Sequence, residues 1–199
     1  MIKKVTLAVT GASGMPYAVA LLKQLLQAKI AVNFVISKAG IITMHQELDI
    51  ALALSPNLIR DKMMESLEIA DGKLFKVYGI DDWYAPIASG SSVDDVMIIC
   101  PCSMATLAKI ANGIGDDLIA RSADVVLKER KNLIIVPRET PFSAIHLENM
   151  LKLARLGVSV IPPVPAFYTH PETIDDMVNF VVSRILDQAG ITNSLIERW

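Results

Sequence analysis

Arg138 and Glu139 are adjacent in the stretch NLIIVPRETPFSAIHLENMLKL, which begins at Asn132. A guanidinium next to a carboxylate suits two jobs, holding an anion such as phosphate and moving a proton. Asn132–Val136 has the apolar, β-branched pattern of a buried strand, Pro137 ends it, and Ser143 can cap a helix from about Ala144. The pair therefore falls on a loop leaving a strand's carboxyl end, where ligands bind in open α/β sheets. A surface ion pair accounts for the two residues equally well, and the loop alone does not choose.

Other candidates sit on corners of similar design. Val5–Val9 reads as a first strand, Thr10-Gly-Ala-Ser-Gly14 as a tight turn, and Pro16 as the opening of a helix to about Gln27 capped by Ser13. Amide groups exposed at such a start attract phosphate. The turn has two glycines where the dinucleotide fingerprint has three, so an ordinary strand–helix turn is an equal reading. Val96–Cys100 followed by Pro101-Cys-Ser103 repeats the scheme, with Ser103 as cap of a helix through about Ala111. Side by side, two such corners make a phosphate and ring pocket where a strand order reverses. Arg184 borders the stripe Val178, Val181, Ile185 of a last helix, Thr173–Leu186. There it calls for an anion, or else lays its stem along the core with its head in water. Most of the run Lys128-Glu-Arg-Lys131 reads as basic residues complementing a helix C-terminus.

The elements that must position these residues alternate strand and helix. Ala31–Ile36 is a second strand ending at Ser37-Lys38, and a helix from about Ile41 carries His45 and Glu47. Residues 50–80 are less regular, with a helix near Leu58–Leu67. Asp81–Ser92, DDWYAPIASGSS, is loop by composition. It either covers a ligand or is a connector with Trp83 and Tyr84 in core or interface. Asp117–Leu127 reads as a helix, and Leu147, Met150, Leu151 and Ala154 share one helical face. Gly157 ends that helix, Val158–Ile161 makes a strand, and the following PPVPAFYTHP is too rich in proline for a central strand. No strand shows period-2 amphipathicity. The pattern predicts an α/β fold with a parallel sheet covered by helices on both faces. It predicts one domain over residues 1–199, with 187–199 as a tail suited to packing on a neighbouring subunit.

Composition narrows the function. The apolar fraction of 52% and mean hydropathy of +0.43 are high, yet no uncharged run approaches a membrane span, so the excess points to burial between subunits. The start reads as a strand and not as a signal peptide, because a glycine turn follows at once. A net charge of −2 favours neither nucleic acid nor an anionic membrane. Cys100 and Cys102 are too close for an ordinary disulfide and too few for zinc, which fits a reducing cytoplasm. GxxxxGK[ST], HExxH and GxSxG are absent, and His45, His146 and His170 lack metal spacing, so the expected chemistry is metal-free.

Seven motifs occur in one order: TGASG, the ISK after the second strand, ASGS, CPCSMATL, VLKER, VPRETPFSAIHLENMLKL and PAFYTHP. Together they resemble the UbiX-type flavin prenyltransferases over nearly the whole chain. The resemblance implies a flavodoxin-like, Rossmann-like three-layer sandwich in a homo-oligomer, a dodecamer with flavin sites at subunit interfaces. It implies transfer of a dimethylallyl group from dimethylallyl phosphate to N5 and C6 of reduced FMN. The product, prenylated FMN, is the cofactor of UbiD-type decarboxylases. By motif, Gly11, Ala12, Ser13 and Ser37 would hold FMN, with Ser103, Met104, Ala105 and Thr106 at the second corner and Arg138 at the third. Lys128, Tyr168 and Arg184 would hold the phosphate, with Glu139 nearby. Glu47 and Ser13 would sit near the flavin N5, and Trp83 with Ala88-Ser89-Gly90 would line the prenyl pocket. This chemistry agrees with the residues: an allylic phosphate ionises when Lys, Arg and Tyr stabilise the leaving anion.

Two alternatives share the fold. A flavin-dependent cysteine decarboxylase uses an early catalytic His and a PxMNxxMW-like segment, where this chain has PRETPFSAIHLENM. A non-catalytic FMN carrier has no use for Lys128 and Arg184.

Overall fold

The computed structural model describes residues 2–69 and 71–197. Six parallel strands form one sheet: β1 (Lys4–Val9), β2 (Ala31–Ile36), β3 (Phe75–Tyr78), β4 (Val96–Cys102), β5 (Asn132–Pro137) and β6 (Ser159–Val160), in the order β3-β2-β1-β4-β5-β6. The helices are α1 (Met15–Gln27), α2 (Lys38–Leu48), α3 (Pro56–Ser66), α4 (Met104–Ala111), α5 (Leu118–Lys128), α6 (Ala144–Arg155) and α7 (Ile174–Gln188). This is the three-layer α/β sandwich expected from the sequence, with the Rossmann strand order.

Alternation along each strand fills two separate apolar layers. Val5, Leu7 and Val9 of β1 meet α1 and α7 on one side, where Leu21, Leu22, Leu25, Val182 and Ile185 are fully buried. Ala8, with Met97 and Ile99 of β4 and Leu133 and Ile135 of β5, meets α4, α5 and α6 on the other side. Each such aliphatic side chain contributes about 1.5–3 kcal/mol by leaving water, so both layers hold the sheet firmly. Over β2 and β3 the second layer is filled largely by Ala85, Ile87, Ala88 and Val93 of the segment before β4, which includes a single 3-10 turn at Pro86–Ala88, with α5 reaching β2.

The order places β1 between β2 and β4, so the chain leaves β1 toward one face and β4 toward the other. A crevice opens at the carboxyl ends of these two strands. A register irregularity between Ile99 and Cys102 bends the end of β4 there.

Three local readings are corrected. The edge strand β3 falls inside the stretch read as irregular; it is four residues long and only Phe75 is buried. Ser13 does not cap α1: Gly14, at φ 127°, is the N-cap and makes no side-chain cap bond. The face shared by Leu147, Met150, Leu151 and Ala154 is not a core face. Met150 and Leu153 are buried, whereas Leu147, Leu151 and Ala154 are exposed.

Candidate active site

The crevice is built from the ends of four neighbouring strands. Thr10, the residue after β1, is buried, and its hydroxyl donates to the Pro101 carbonyl (2.9 Å) and accepts from the Ser103 amide (2.7 Å). The Thr10 amide also donates to Pro101 O (3.2 Å), so one residue ties the β1 loop to the β4 loop. Arg138, just beyond β5, donates from its amide to Cys102 O and from Nε to Ser13 O, both at 3.2 Å. Its backbone is thus tied to the end of β4, and its partly buried guanidinium lies across the crevice, aimed by the Ser13 carbonyl of the β1 loop.

Ser103 follows the predicted corner design, and Ser37 has the same one, with α2 starting at Lys38 and not at about Ile41. Ser37 caps α2 by accepting from the Gly40 amide (3.0 Å), and Ser103 caps α4 by accepting from the Thr106 amide (3.3 Å). Met104, Ala105 and Thr106 form the first turn of α4. Gly11 is required where the β1 loop meets α2, because an added Cβ would overlap Ala39.

The amides opening α1 are not left for phosphate, as the sequence suggested. Glu47, from the last turn of α2, reaches over and accepts from Gly14 N (2.9 Å) and Met15 N (2.8 Å) through Oε2. Burial pushes the Glu47 carboxyl up, but the Ser13 hydroxyl, the two amides and the Arg138 charge outweigh it and hold its pKa below the usual carboxylate value. Glu47 is thus an anionic cap on α1 and an acceptor facing the crevice. Glu139 stands beside Arg138 and accepts from its own neighbour, Thr140 N (3.0 Å). Cys100 and Cys102 are buried thiols; burial pushes Cys102 up to about 12 and Cys100 higher still, so neither offers a thiolate.

The residues expected around a prenyl phosphate do not meet within one chain. Lys128 ends α5 near the start of β5, at the opposite end of the sheet from the crevice, and pairs there with Glu129. Ala88-Ser89-Gly90 lies against it: a Cβ on Gly90 would sit 2.8 Å from Lys128 Nζ. Arg121, two turns before Lys128 on α5, donates to Ala88 O (3.3 Å). Its seven-residue spacing from Lys128 on the VLKER helix was the available signal, passed over in the sequence reading. Tyr168 and Arg184 belong to the opposite layer. Tyr168 stacks edge-on against Phe180 of α7 (centroids 6.0 Å apart), and Arg184, one turn further, pairs with Asp187 (3.1 Å). Tyr168 also lines a cleft of about 580 Å³ with His170, Pro171, Glu172 and Leu195. Trp83 and Tyr84 are exposed on the segment above α5.

Among the described residues no group of three or more His, Cys, Asp or Glu is placed to hold a metal, and no helix is long and apolar enough to cross a membrane. His146 has a structural role, accepting from the Ser143 amide in a capping box at the start of α6.

A parallel sheet with serine-capped corners and a guanidinium at its switch point defines a flavoprotein-type domain, and the Flavoprotein family model matches residues 1–186. The chain belongs to that family and, within it, to the UbiX-type flavin prenyltransferases. It is 48% identical to a flavin prenyltransferase UbiX of Pseudomonas aeruginosa over 197 residues, covering 99% of this chain and 94% of that one. It is 46% identical to one from Methanocaldococcus jannaschii, with 98% of each covered. Among solved structures, a dodecameric FMN-dependent UbiX-like decarboxylase from Escherichia coli O157:H7 aligns with TM-score 0.85 at 44% identity over 98% of both chains. AnUbiX (PadA1), in complex with FMN and dimethylallyl pyrophosphate, aligns with TM-score 0.87 at 39% identity over 100% of this chain and 98% of that one. The peptidyl-cysteine decarboxylase EpiD, at 20% identity and TM-score 0.56, shares the fold alone.

Proposed function

We propose that this transferase moves a dimethylallyl group from dimethylallyl phosphate to N5 and C6 of reduced FMN, without a metal, to make the prenylated FMN that UbiD-type decarboxylases use. The observation that carries the reading is Arg138. Its guanidinium is held by Ser13 O, and its backbone amide by Cys102 O, across a crevice flanked by two serine-capped helix starts, an arrangement suited to a phosphorylated ring.

The residues at the crevice fit FMN. Gly11, Ala12, Ser13, Ser37, the Ser103–Thr106 turn and Arg138 hold it, and the flavin supplies the nucleophilic ring. Glu47, kept ionised, orients Ser13 and the start of α1 near N5. Lys128, Tyr168 and Arg184 take up the phosphate as the allylic C–O bond breaks, which replaces the metal that a diphosphate leaving group would call for. Ala88-Ser89-Gly90 and Trp83 shield the allyl group from water. The proton released when the second ring bond forms passes to Glu139 or to the departing phosphate.

Because Lys128 and Arg184 lie on opposite layers of the sheet in one chain, this assignment requires more than one subunit. Exposed Leu147, Leu151, Val164, Phe167 and Tyr168 suit such contacts. We place the working form as a dodecamer in the cytoplasm, a reducing compartment compatible with two unpaired cysteines.

The test is anaerobic incubation of the protein with reduced FMN and dimethylallyl phosphate, or the diphosphate, followed by mass spectrometry of the flavin. The expected product is heavier by one C5 unit, with the monophosphate the better donor. Unmodified FMN with both donors would overturn the reading.

A further inference from the structure

The second layer holds a cluster of buried polar groups among its apolar side chains. Asp94, in the turn that feeds β4, has a fully buried side chain. Its Oδ2 accepts from the Thr6 hydroxyl of β1 (2.7 Å) and the Asn33 amide of β2 (2.8 Å). Its Oδ1 faces the Lys4 ammonium of β1 at 3.0 Å as an ion pair and takes no directed hydrogen bond. Tyr78 of β3 extends the set, its hydroxyl 3.4 Å from Asn33 Oδ1. One carboxylate is thus bonded to two adjacent strands, and through Asn33 reaches a third.

Such a group is a poor way to gain stability. A buried ion pair loses in desolvation much of what attraction returns, and an apolar residue would fill the layer as well. What it does specify is position. Immediately before Asp94 the chain folds into a compact turn: Val93 N donates to Ser89 O (2.9 Å) and Ser92 Oγ to Pro86 O (2.7 Å). On the α5 side, Arg121 holds Ala88 O, while Lys131 donates to Val93 O (2.6 Å) and pairs with Asp95 (3.2 Å). The turn is therefore clamped between α5 and the sheet. Asp94 is its anchor on the sheet side, and Gly90 at its tip touches Lys128.

We propose that Asp94 is a positioning residue for the prenyl donor: anchored by Lys4, Thr6 and Asn33, it sets the Pro86–Val93 turn against Lys128. The inference rests on the donor site lying there. Asp94→Asn keeps the shape and an acceptor oxygen but sets a neutral amide opposite Lys4. The expected result is a KM for dimethylallyl phosphate raised about tenfold or more, with FMN affinity changed less than about twofold. Amides 88–93 should exchange hydrogen faster while those of β1 and β2 keep their protection. Thr6→Val, which removes one bond to Oδ2, should move the same readouts in the same direction by less, and serves if Asp94→Asn does not fold. An unchanged donor KM, or donor and FMN affinities falling together, overturns the proposal. Wild-type protein that makes no prenylated flavin overturns the proposed function instead, and hydrogen exchange then decides on positioning: unchanged exchange at 88–93 overturns it.

Discussion

The crevice end and the proposed donor surfaces of this molecule are organised in opposite ways. At the crevice, residues up to 125 apart in sequence are laced together inside one chain: Thr10 to Pro101 and Ser103, Arg138 to Ser13, Glu47 to Gly14 and Met15. The proposed donor surfaces are separate pieces kept apart. Lys128 and Gly90 make one at the end of α5, and Tyr168, Phe180 and Arg184 make another along α7, with the sheet between them. On the proposed reading, the crevice groups that hold the ring come preassembled in each chain. A site divided between copies reacts only in the assembled particle, where water is excluded as the pieces meet.

The largest effect that tests this contrast comes from mixing. Lys128→Met and Arg184→Met, each alone, should lower prenyl transfer by about a hundredfold or more while FMN still binds. Co-assembled from unfolded or co-expressed chains, the two inactive variants should recover activity, since roughly a quarter of randomly mixed sites would hold both native residues. Recovery is read as prenylated flavin formed per FMN bound. Mixed particles as inactive as the parents would mean that the two residues act within one subunit or in different sites, and the contrast would fall.

How much of each region was legible in the sequence follows the same division. The corners at Ser103 and Arg138 are local events, a strand ending and a helix being capped within a few residues, whereas the cap at Ser37 was missed because the helix after it was read from about Ile41. The apolar face of α6 was also legible as a stripe, but periodicity does not say what covers it. Met150 and Leu153 meet this chain's own sheet, while Leu147 and Leu151 are turned outward. The strand β3 escaped because four residues at a sheet edge, one of them buried, carry too little pattern. Glu47 on the α1 amides and Asp94 on Thr6 and Asn33 were beyond reach. Their partners lie 32 to 88 residues away, and no spacing rule joins them.

A smaller effect probes the crevice without touching its ligand groups. Thr10→Val is close in shape and removes the hydroxyl that serves both Pro101 O and Ser103 N. The variant leaves a buried amide without its partner, so stability should fall by about 1–3 kcal/mol, measured by denaturant unfolding. FMN affinity should fall with it, since the β1 and β4 corners are no longer tied. Because the Thr10 hydroxyl bonds only to the β4 corner, at Pro101 O and Ser103 N, the variant should leave the KM for the donor unchanged once FMN is saturating. A raised donor KM would mean that the two regions are coupled more closely than their separate bonding implies.

The smallest effect has a pH signature. Glu47 is held ionised by Ser13, Gly14, Met15 and Arg138, so its folded pKa is below its unfolded one. Stabilisation of that sign is complete above the unfolded carboxyl's value and is lost as pH falls through the folded value. Glu47→Gln keeps one acceptor oxygen but no charge for the start of α1, and the loss at neutral pH should be about 1 kcal/mol, typical of a helix cap. The difference between wild type and variant should begin to shrink near the unfolded glutamate value of about 4.3 and disappear below the folded one. Denaturant unfolding of both proteins across that range measures it. A gap that stays constant down to the lowest pH would mean that the carboxylate's charge is not what holds α1, and that shape alone puts Glu47 at the crevice.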